Sequence, residues 1–470
     1  RLEACRHRRL ARALALLGID DSGHGWGGWL QTEVALPRDA LDDRDLARVI
    51  ADSALGALEQ RKGWRQRLRV LLRSFGDPND RSVIEGGLEG LFYQPLTTAR
   101  GRRNGTRERV RAVAERWPQL LDLRLECLAT RVLFDDANRA VGVEYRRGAN
   151  QYTALRRPTA TPGETREIHV RPRGEVILCG GTLNTPQLLM LSGIGPRAQL
   201  SELGITPRAD LPGVGRNLQD RYEISVVNRL NAPAWPSLSK AEFRRGDRLW
   251  RQWKRHRGMY TSNGGVLTVI KRSAPSVPLP DFYIMSLLAP FNGYFPGYSR
   301  DIAEHRNRLT WAILKAHTRN RAGTVTLSSA DPTVPPVVDF RYFHPEDDPE
   351  EQDLAAVVGA IRFVRQLTDP LLRSGVLAEE EVPGRHIETD GDLAAHVRRH
   401  AWGHHACGTC AIGAPEAGGV IGSDFRVHRV AGLRVVDASV FPRIPGYFIA
   451  SAVYMIAEKA ADMILADAAG

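Results

Sequence analysis

Two histidines and two cysteines stand close together in WGHHACGTCAIG, residues 402–413: His404, His405, Cys407 and Cys410. Such residues can form a metal site, act as a dithiol redox pair, or supply a histidine that moves a proton. Structural zinc usually draws ligand pairs separated by a longer loop. Here the four side chains crowd into one short run, with no second CxxC in the chain, so no metal ligand set is predicted. A Cys407–Cys410 dithiol would need the N-terminus of a helix in a small thioredoxin-like unit, which GTCAIG does not resemble. A histidine base needs only a neutral imidazole facing a reacting proton, and the unperturbed pKa of about 6.5 allows that near neutrality. If the run is extended, neighbouring side chains point to opposite faces. One of His404 and His405 then faces a cavity while the other packs or orients it. From this stretch alone a packed structural histidine is the simpler account.

The elements that must position these residues can be read from periodicity. In GEVILCGGTLNTPQLLMLSGIGP (174–196) a buried apolar strand, Val176–Cys179, ends on Gly180-Gly181 and leads into a helix with Thr185 as cap and Pro186 in its first turn. Strand, glycine turn and helix is the layout of a dinucleotide-fold element, and the glycines would let backbone pass close to a partner. A tight packing turn is the alternative reading. Upstream, TRERVRAVAERW (106–117) reads as a helix capped by Thr106. Short β signals follow at LDLRLE (121–126), ATRVLFD (129–135), AVGVEYR (140–146) and REIHV (166–170), with Asp136-Ala137-Asn138 turning between the second and third.

From 222 to about 345 the pattern is β-rich without intervening helices, in GVLTVIKR (265–272), DFYIMSL (281–287), LTWAILKAH (309–317), GTVTLSS (323–329) and VVDFRYF (337–343). That predicts an antiparallel sheet. An amphipathic helix follows at 350–367, a strand and loop at 432–446, and a last helix at 449–466. Residues 1–90 read as helix and loop: the opening RLEACRHRRLARALALLG looks like the interior of a helix, and further helical patterns lie at 44–60 and 64–74. LPGVGRNLQD (211–220) offers only a lone G-x-G, and no strand–GxGxxG–helix with a downstream acid occurs anywhere.

The composition excludes several classes. A length of 470 residues, 43% hydrophobic and 25% charged, suits a globular protein of two or three domains, or one large core with a lobe. The net charge of +11 is almost wholly arginine, dispersed among acids, with no zinc-finger spacing, RNA-binding aromatic motif or basic arm, so no nucleic-acid partner is predicted. Five scattered cysteines suit a reducing compartment. The location expected is cytoplasmic, with a peripheral position at a membrane as the alternative. The most apolar run, 447–465, carries Glu458, Lys459 and Asp462, so no transmembrane segment is expected.

GGTLNTPQLLMLSGIG (180–195), HHACGTCAIG (404–413) and VVDASVFPRIP with AEKAAD (435–462) together resemble the glucose–methanol–choline (GMC) flavoprotein oxidoreductases. Weaker likeness runs through RRNGTRERV (102–110), 129–145, 211–220 and 323–332. The resemblance implies a mixed α/β chain: the remainder of a Rossmann-like FAD-binding domain plus an antiparallel-sheet substrate lobe. The expected segments are 1–90 near the substrate side, 91–221 in the FAD domain, 222–400 as the lobe, and 401–470 returning to the FAD domain. It implies FAD as cofactor and oxidation of a small alcohol to an aldehyde or ketone, with oxygen, a quinone or a cytochrome as electron acceptor. His405 would be the base. His404, Val132, Asp437, Ala438, Ile449 and Ala450 would border the cofactor, Val132 through its backbone on the adenine side and Ile449-Ala450 through a helix N-terminus.

Two departures stand out. The family's second catalytic His or Asn falls on Phe448, which cannot hydrogen-bond a hydroxyl; Tyr447 is the neighbouring candidate. The family's opening strand–GxGxxG–helix is not in the sequence, and the chain opens without Met, so it reads as a fragment rather than a short form. A lyase-like, non-redox flavoprotein and a non-catalytic remnant are the alternative expectations.

Overall fold

The computed structural model describes the chain apart from residues 1, 6–11, 14–15, 18–21, 38–39, 41, 60–75, 156, 160–162, 172 and 470, and apart from the side chains of 52–59 and 469. The helical pattern expected at 64–74 and part of the opening stretch RLEACRHRRLARALALLG lie outside the described residues. Along the chain run β1 (Glu3–Cys5), β2 (Leu30–Val34), β3 (Gly90–Phe92), α1 (Thr106–Arg116), β4 (Cys127–Phe134), β5 (Ala140–Arg147), β6 (Glu164–His169), β7 (Val176–Leu178) and α2 (Gly181–Leu191). There follow β8 (Tyr222–Leu230), β9 (Gly265–Lys271), β10 (Phe282–Leu287), β11 (Arg308–Lys315), β12 (Thr324–Thr326), β13 (Val337–Asp339), α3 (Gln352–Arg373), β14 (Leu377–Val382), β15 (Leu433–Val435) and α4 (Ala450–Ala469). The chain forms two compact units: residues 1–117, 222–316 and 351–402, and residues 118–221, 317–350 and 403–470.

The first unit is built on a six-stranded, wholly antiparallel sheet in the order β14–β8–β11–β10–β9–β3. Lys315, on β11, lies 3.3 Å from Asp353 on α3. Side chains two apart share a face, so α3 covers the face that carries Leu309, Trp311 and Ile313, all fully buried. On α3 itself Val357, Ile361 and Val364 are buried at helical spacing. The opposite face of the sheet carries the polar Glu223, Ser225 and Thr310 among apolar residues that include Val227, Leu314, Met285 and Leu287.

Several expectations are corrected here. β8, an interior strand next to the edge strand β14, has no unbroken apolar pattern, because Glu223, Ser225 and Asn228 interrupt it, although all three are buried. The opening residues are not the interior of a helix at Glu3–Cys5. They form a strand parallel to β2, because the loop after Ser22 takes their backbone hydrogen bonds, Cys5 N–H to Gly25 O at 2.9 Å among them. Thr106 is the first residue of α1 and not its cap; Gly105 precedes it, and the Glu108 carboxylate accepts from the Gly105 amide at 3.0 Å.

In the second unit β4, β5 and β6 form an antiparallel meander, with the expected turn at 136–138 held by Asp135 Oδ1, which accepts from Ala137 and Arg139 amides. LDLRLE is not a strand: it has no partner among the described strands, and Leu125 is 80% exposed. The strands expected at 323–329 and 337–343 shorten to the three-residue pair β12 and β13. β7 pairs in parallel with β15, Val176 opposite Leu433 and Leu178 opposite Val435. The compact units therefore cut the expected segments: 91–117 goes with the large sheet, since β3 forms its edge, and 317–350 goes with the second unit, since Val325 donates to Gly215 O at 2.7 Å. Among the described residues no helix is long and apolar enough to cross a membrane.

Ile313 is fully buried in the sheet's third strand from one edge. Ile313→Ala should destabilise the chain by roughly 2–5 kcal/mol through lost burial and a residual cavity, read as a lowered urea midpoint at unchanged slope.

Candidate active site

The parallel pair β7–β15 brings two loops together at its carboxyl end, where open α/β sheets place their ligands. After β7 the chain turns through Gly180-Gly181 into α2; after β15 it reaches Asp437. Helix α2 starts at Gly181, four residues before the expected Thr185 cap, so Thr185 and Pro186 lie inside it. The reason is Asp437. Its Oδ2 accepts from the Gly181 amide (3.0 Å) and the Thr185 hydroxyl (2.6 Å), and its Oδ1 accepts from the Ser439 amide (2.8 Å). Thr185 Oγ1 in turn accepts from the Gly180 amide at 3.0 Å. Carboxylate charge at a helix N-terminus is favoured by the helix dipole. Gly181 has φ +82°, which explains the glycine, and a Cβ built there meets nothing within 4 Å. Space for a ligand therefore lies beside the first turn of α2.

Pro186 has no N–H, so the carbonyl of Thr182, four residues earlier, loses its helical donor. The Thr409 hydroxyl fills that place at 2.6 Å. Reciprocally, the Thr182 hydroxyl donates to Ala406 O at 2.8 Å. This clasp fixes the 403–413 run on α2. Further backbone bonds pin it: Cys407 and Gln219 exchange N–H···O bonds of 2.9 and 3.0 Å, Gly408 donates to Ala438 O at 3.2 Å, and Cys410 donates to Ser439 O at 2.8 Å. Gly408 takes φ +99°, where a Cβ would stand 2.4 Å from Asn217 O, so that glycine is required by both conformation and space.

His405 is buried and His404 is exposed, as extended backbone requires, yet their rings remain neighbours with centroids 4.3 Å apart. The His405 amide donates to Asp220 Oδ1 at 2.9 Å, and Asp220 Oδ2 lies 3.1 Å from the Tyr342 hydroxyl. Burial, reinforced by the Arg221 guanidinium and opposed by Asp220, lowers the His405 pKa to about 4. The imidazole is thus held neutral at physiological pH. Phe448 meets it edge-on at 5.3 Å. Tyr447 and Ile449 are half-buried beside Phe448, and Ile449 packs in a small cluster with Cys407, Phe441 and Ile444. Ala450, exposed, opens α4.

The fold thus assembles His404, His405, Phe448, Asp437, Ala438 and the start of α4 in one unit. Val132 sits elsewhere, near the far end of α2, where its amide donates to Ser192 Oγ at 2.8 Å; a backbone contact to a ligand is left to its carbonyl. Cys407 and Cys410 are fully buried and unbridged, and burial pushes both thiols up, Cys407 to about 12. Neither offers thiolate for redox chemistry. Asp220, Thr182 and Thr409 were missed from sequence; the only signal was NLQD beside the lone G-x-G, and the threonines carry none.

GMC oxidoreductase family models match residues 86–223 and 318–457. An oxygen-dependent choline dehydrogenase of Sinorhizobium medicae is 33% identical over 80% of the chain and 64% of its own length. A fatty acid photodecarboxylase of Chlamydomonas reinhardtii is 35% identical over 64% and 51% respectively. The chain thus spans about half to two thirds of these curated relatives. Among solved structures, formate oxidase of Aspergillus oryzae superposes at a TM-score of 0.77 (23% identity, 99% of this chain and 76% of that one). A fungal aryl-alcohol oxidase superposes at 0.67 (22% identity, 100% and 78%).

Two outcomes are expected. Thr409→Val, nearly isosteric, leaves the Thr182 carbonyl without its donor and should cost about 1–3 kcal/mol, measured by chemical denaturation. His405 is neutral when folded down to about pH 4 but protonates near 6.5 when unfolded. Its stability contribution is intact above pH 6.5 and is lost as pH falls toward 4. His405→Gln should flatten that acid loss by roughly 3 kcal/mol at most, read from unfolding midpoints at pH 7 and pH 4.5.

Proposed function

The chain belongs to the GMC oxidoreductase family, and we propose that it is the catalytic part of an FAD-dependent enzyme that oxidises an alcohol to an aldehyde or ketone. The observation that carries the reading is a buried, neutral histidine, His405, rigidly seated by Asp220 and by the Thr182–Thr409 clasp. The residues present fit FAD: open space lies beside the glycine turn and first turn of α2, and the N-terminus of α4 begins two residues after Phe448. FAD, when bound, supplies the hydride acceptor.

This chain's residues do the rest. Gly180, Gly181 and Ala438 present backbone to the phosphate-bearing part, and Asp437, with both carboxylate oxygens engaged, positions that backbone. Val132 lies near the other end of α2, eleven residues or about 16 Å away, a span suited to an extended dinucleotide. The N-terminus of α4, at Ala450 just after Ile449, would offer its positive dipole end to the reacting ring, and His404 would border that ring. An imidazole nitrogen of His405 takes the hydroxyl proton, and so raises the hydride-donating power of the carbinol C–H. Phe448 excludes water and selects an apolar substrate, with Tyr447 as the nearest hydroxyl. The sheet of the first unit supplies the substrate-binding lobe; oxygen, a quinone or a cytochrome is the electron acceptor.

In the FAD-loaded protein, His405→Ala should retain flavin but slow anaerobic bleaching by alcohol about 10²–10⁴-fold. Unchanged bleaching would remove the base assignment, and a protein that takes up no flavin would remove the enzyme reading. Phe448 favours a second reading, carbon–carbon cleavage of an apolar acid, which the photodecarboxylase relative makes chemically concrete. Loss of carbon dioxide from a long-chain acid under illumination, with no bleaching by alcohols, would select it.

A further inference from the structure

The GHGWGG loop (23–28) plays no part in the reaction above, yet it is fastened to β1 with unusual closeness. Gly28 donates to Glu3 O at 2.7 Å and Cys5 to Gly25 O at 2.9 Å. A Cβ at Gly25 would stand 2.7 Å from Glu3 O, and one at Gly28 only 2.2 Å from Leu2 O. Glycine is therefore required for the loop to lie on the strand. The consequence is a fixed meeting of side chains. Glu3 and Cys5, two apart on β1, share one face, and His24 is held opposite them. His24 Nδ1 stands 3.2 Å from Glu3 Oε1, and its Nε2 stands 3.1 Å from Asp77 Oδ2, with the ring and the Asp77 carboxylate almost wholly buried. One ligand atom each from Glu3, Cys5 and His24 lie within 4.8 Å of one another.

We propose that Glu3, Cys5 and His24 bind a divalent zinc-class metal ion, with Asp77 as the outer carboxylate that orients the histidine. A tetrahedral ion with bonds of about 2.0–2.3 Å sets its ligand atoms about 3.3–3.8 Å apart, which small rotamer adjustments reach from the observed spacing. Carboxylate–histidine–metal is the usual outer arrangement for such a ring. Thr32 Oγ1 and the Gly25 amide both donate to the Glu3 carboxylate and fix its direction. A thiolate with an imidazole selects zinc-like ions over calcium or magnesium. Three protein ligands leave a fourth position for water. The competing occupant of the site is a proton: burial opposes charge on His24, but Asp77 and Glu3 outweigh it and push the ring up to about 10. That ion pair accounts for both carboxylates. The metal would draw the buried Cys5 thiol into the same set.

The test is titration of the full chain, purified without a histidine tag, with cobalt(II) and then zinc(II). The expected result is one equivalent of cobalt with a thiolate-to-metal charge-transfer band in the near ultraviolet, bleached by zinc. Cys5→Ser should abolish the band, and Asp77→Asn should keep it while weakening affinity 10- to 100-fold. A wild-type chain with no band overturns the proposal and leaves the ion pair. So does a band that survives Cys5→Ser, since it belongs to another thiol such as the exposed Cys179.

Discussion

A proline's missing hydrogen sets the geometry of the candidate active site. Pro186 leaves the Thr182 carbonyl without a helical donor, and the Thr409 hydroxyl supplies one across 227 residues of sequence. The Thr182 hydroxyl returns the favour at Ala406 O. Because one end of this clasp lies on a regular helix and the other within four residues of His405, the imidazole inherits the rigidity of α2. Asp437 locks the same helix to the strand β15 through Gly181 and Thr185. Glycine turn, helix start and histidine run are thus one hydrogen-bonded object.

Rigidity alone does not fix the charge of the ring. Burial does, because an imidazole removed from water holds its neutral form, and the nearby Arg221 guanidinium reinforces this more than Asp220 opposes it. Asp220 spends its oxygens on the amides of Arg221 and His405 and on Tyr342, so it seats the backbone more than it charges the ring. The same burial raises the thiols of Cys407 and Cys410 and leaves them as packing groups. One physical effect therefore separates the histidine from its cysteine neighbours, which composition could not do.

The first unit shows a different balance. Its sheet buries nearly every residue of β8, β10 and β11, and α3 covers one face with regular apolar spacing. The other face keeps Glu223, Ser225 and Thr310 among apolar residues such as Val227, Leu314 and Leu287. Polar groups retained in such a sheet are expensive unless they are hydrogen-bonded.

The sequence by itself determined the elements with strong local signals. The strand–glycine–helix at 176–191, the turn at 136–138, the antiparallel character of 265–315 and the long amphipathic helix all follow from period, glycine and turn chemistry, which neighbouring residues decide. It also brought His405 forward, but only through family likeness. The tertiary structure decided what depends on distant partners. Thr185 looked like a cap and is a buried link to Asp437; β8 has no unbroken apolar run and is an interior strand; Glu3–Cys5 looked helical and is extended because Gly25 and Gly28 bind it. Asp220, Thr182 and Thr409 carry no local signal, since a hydroxyl or carboxylate declares its function only when its partner arrives. The charge state of His405 was likewise unreadable, because it is set by the water that the fold removes.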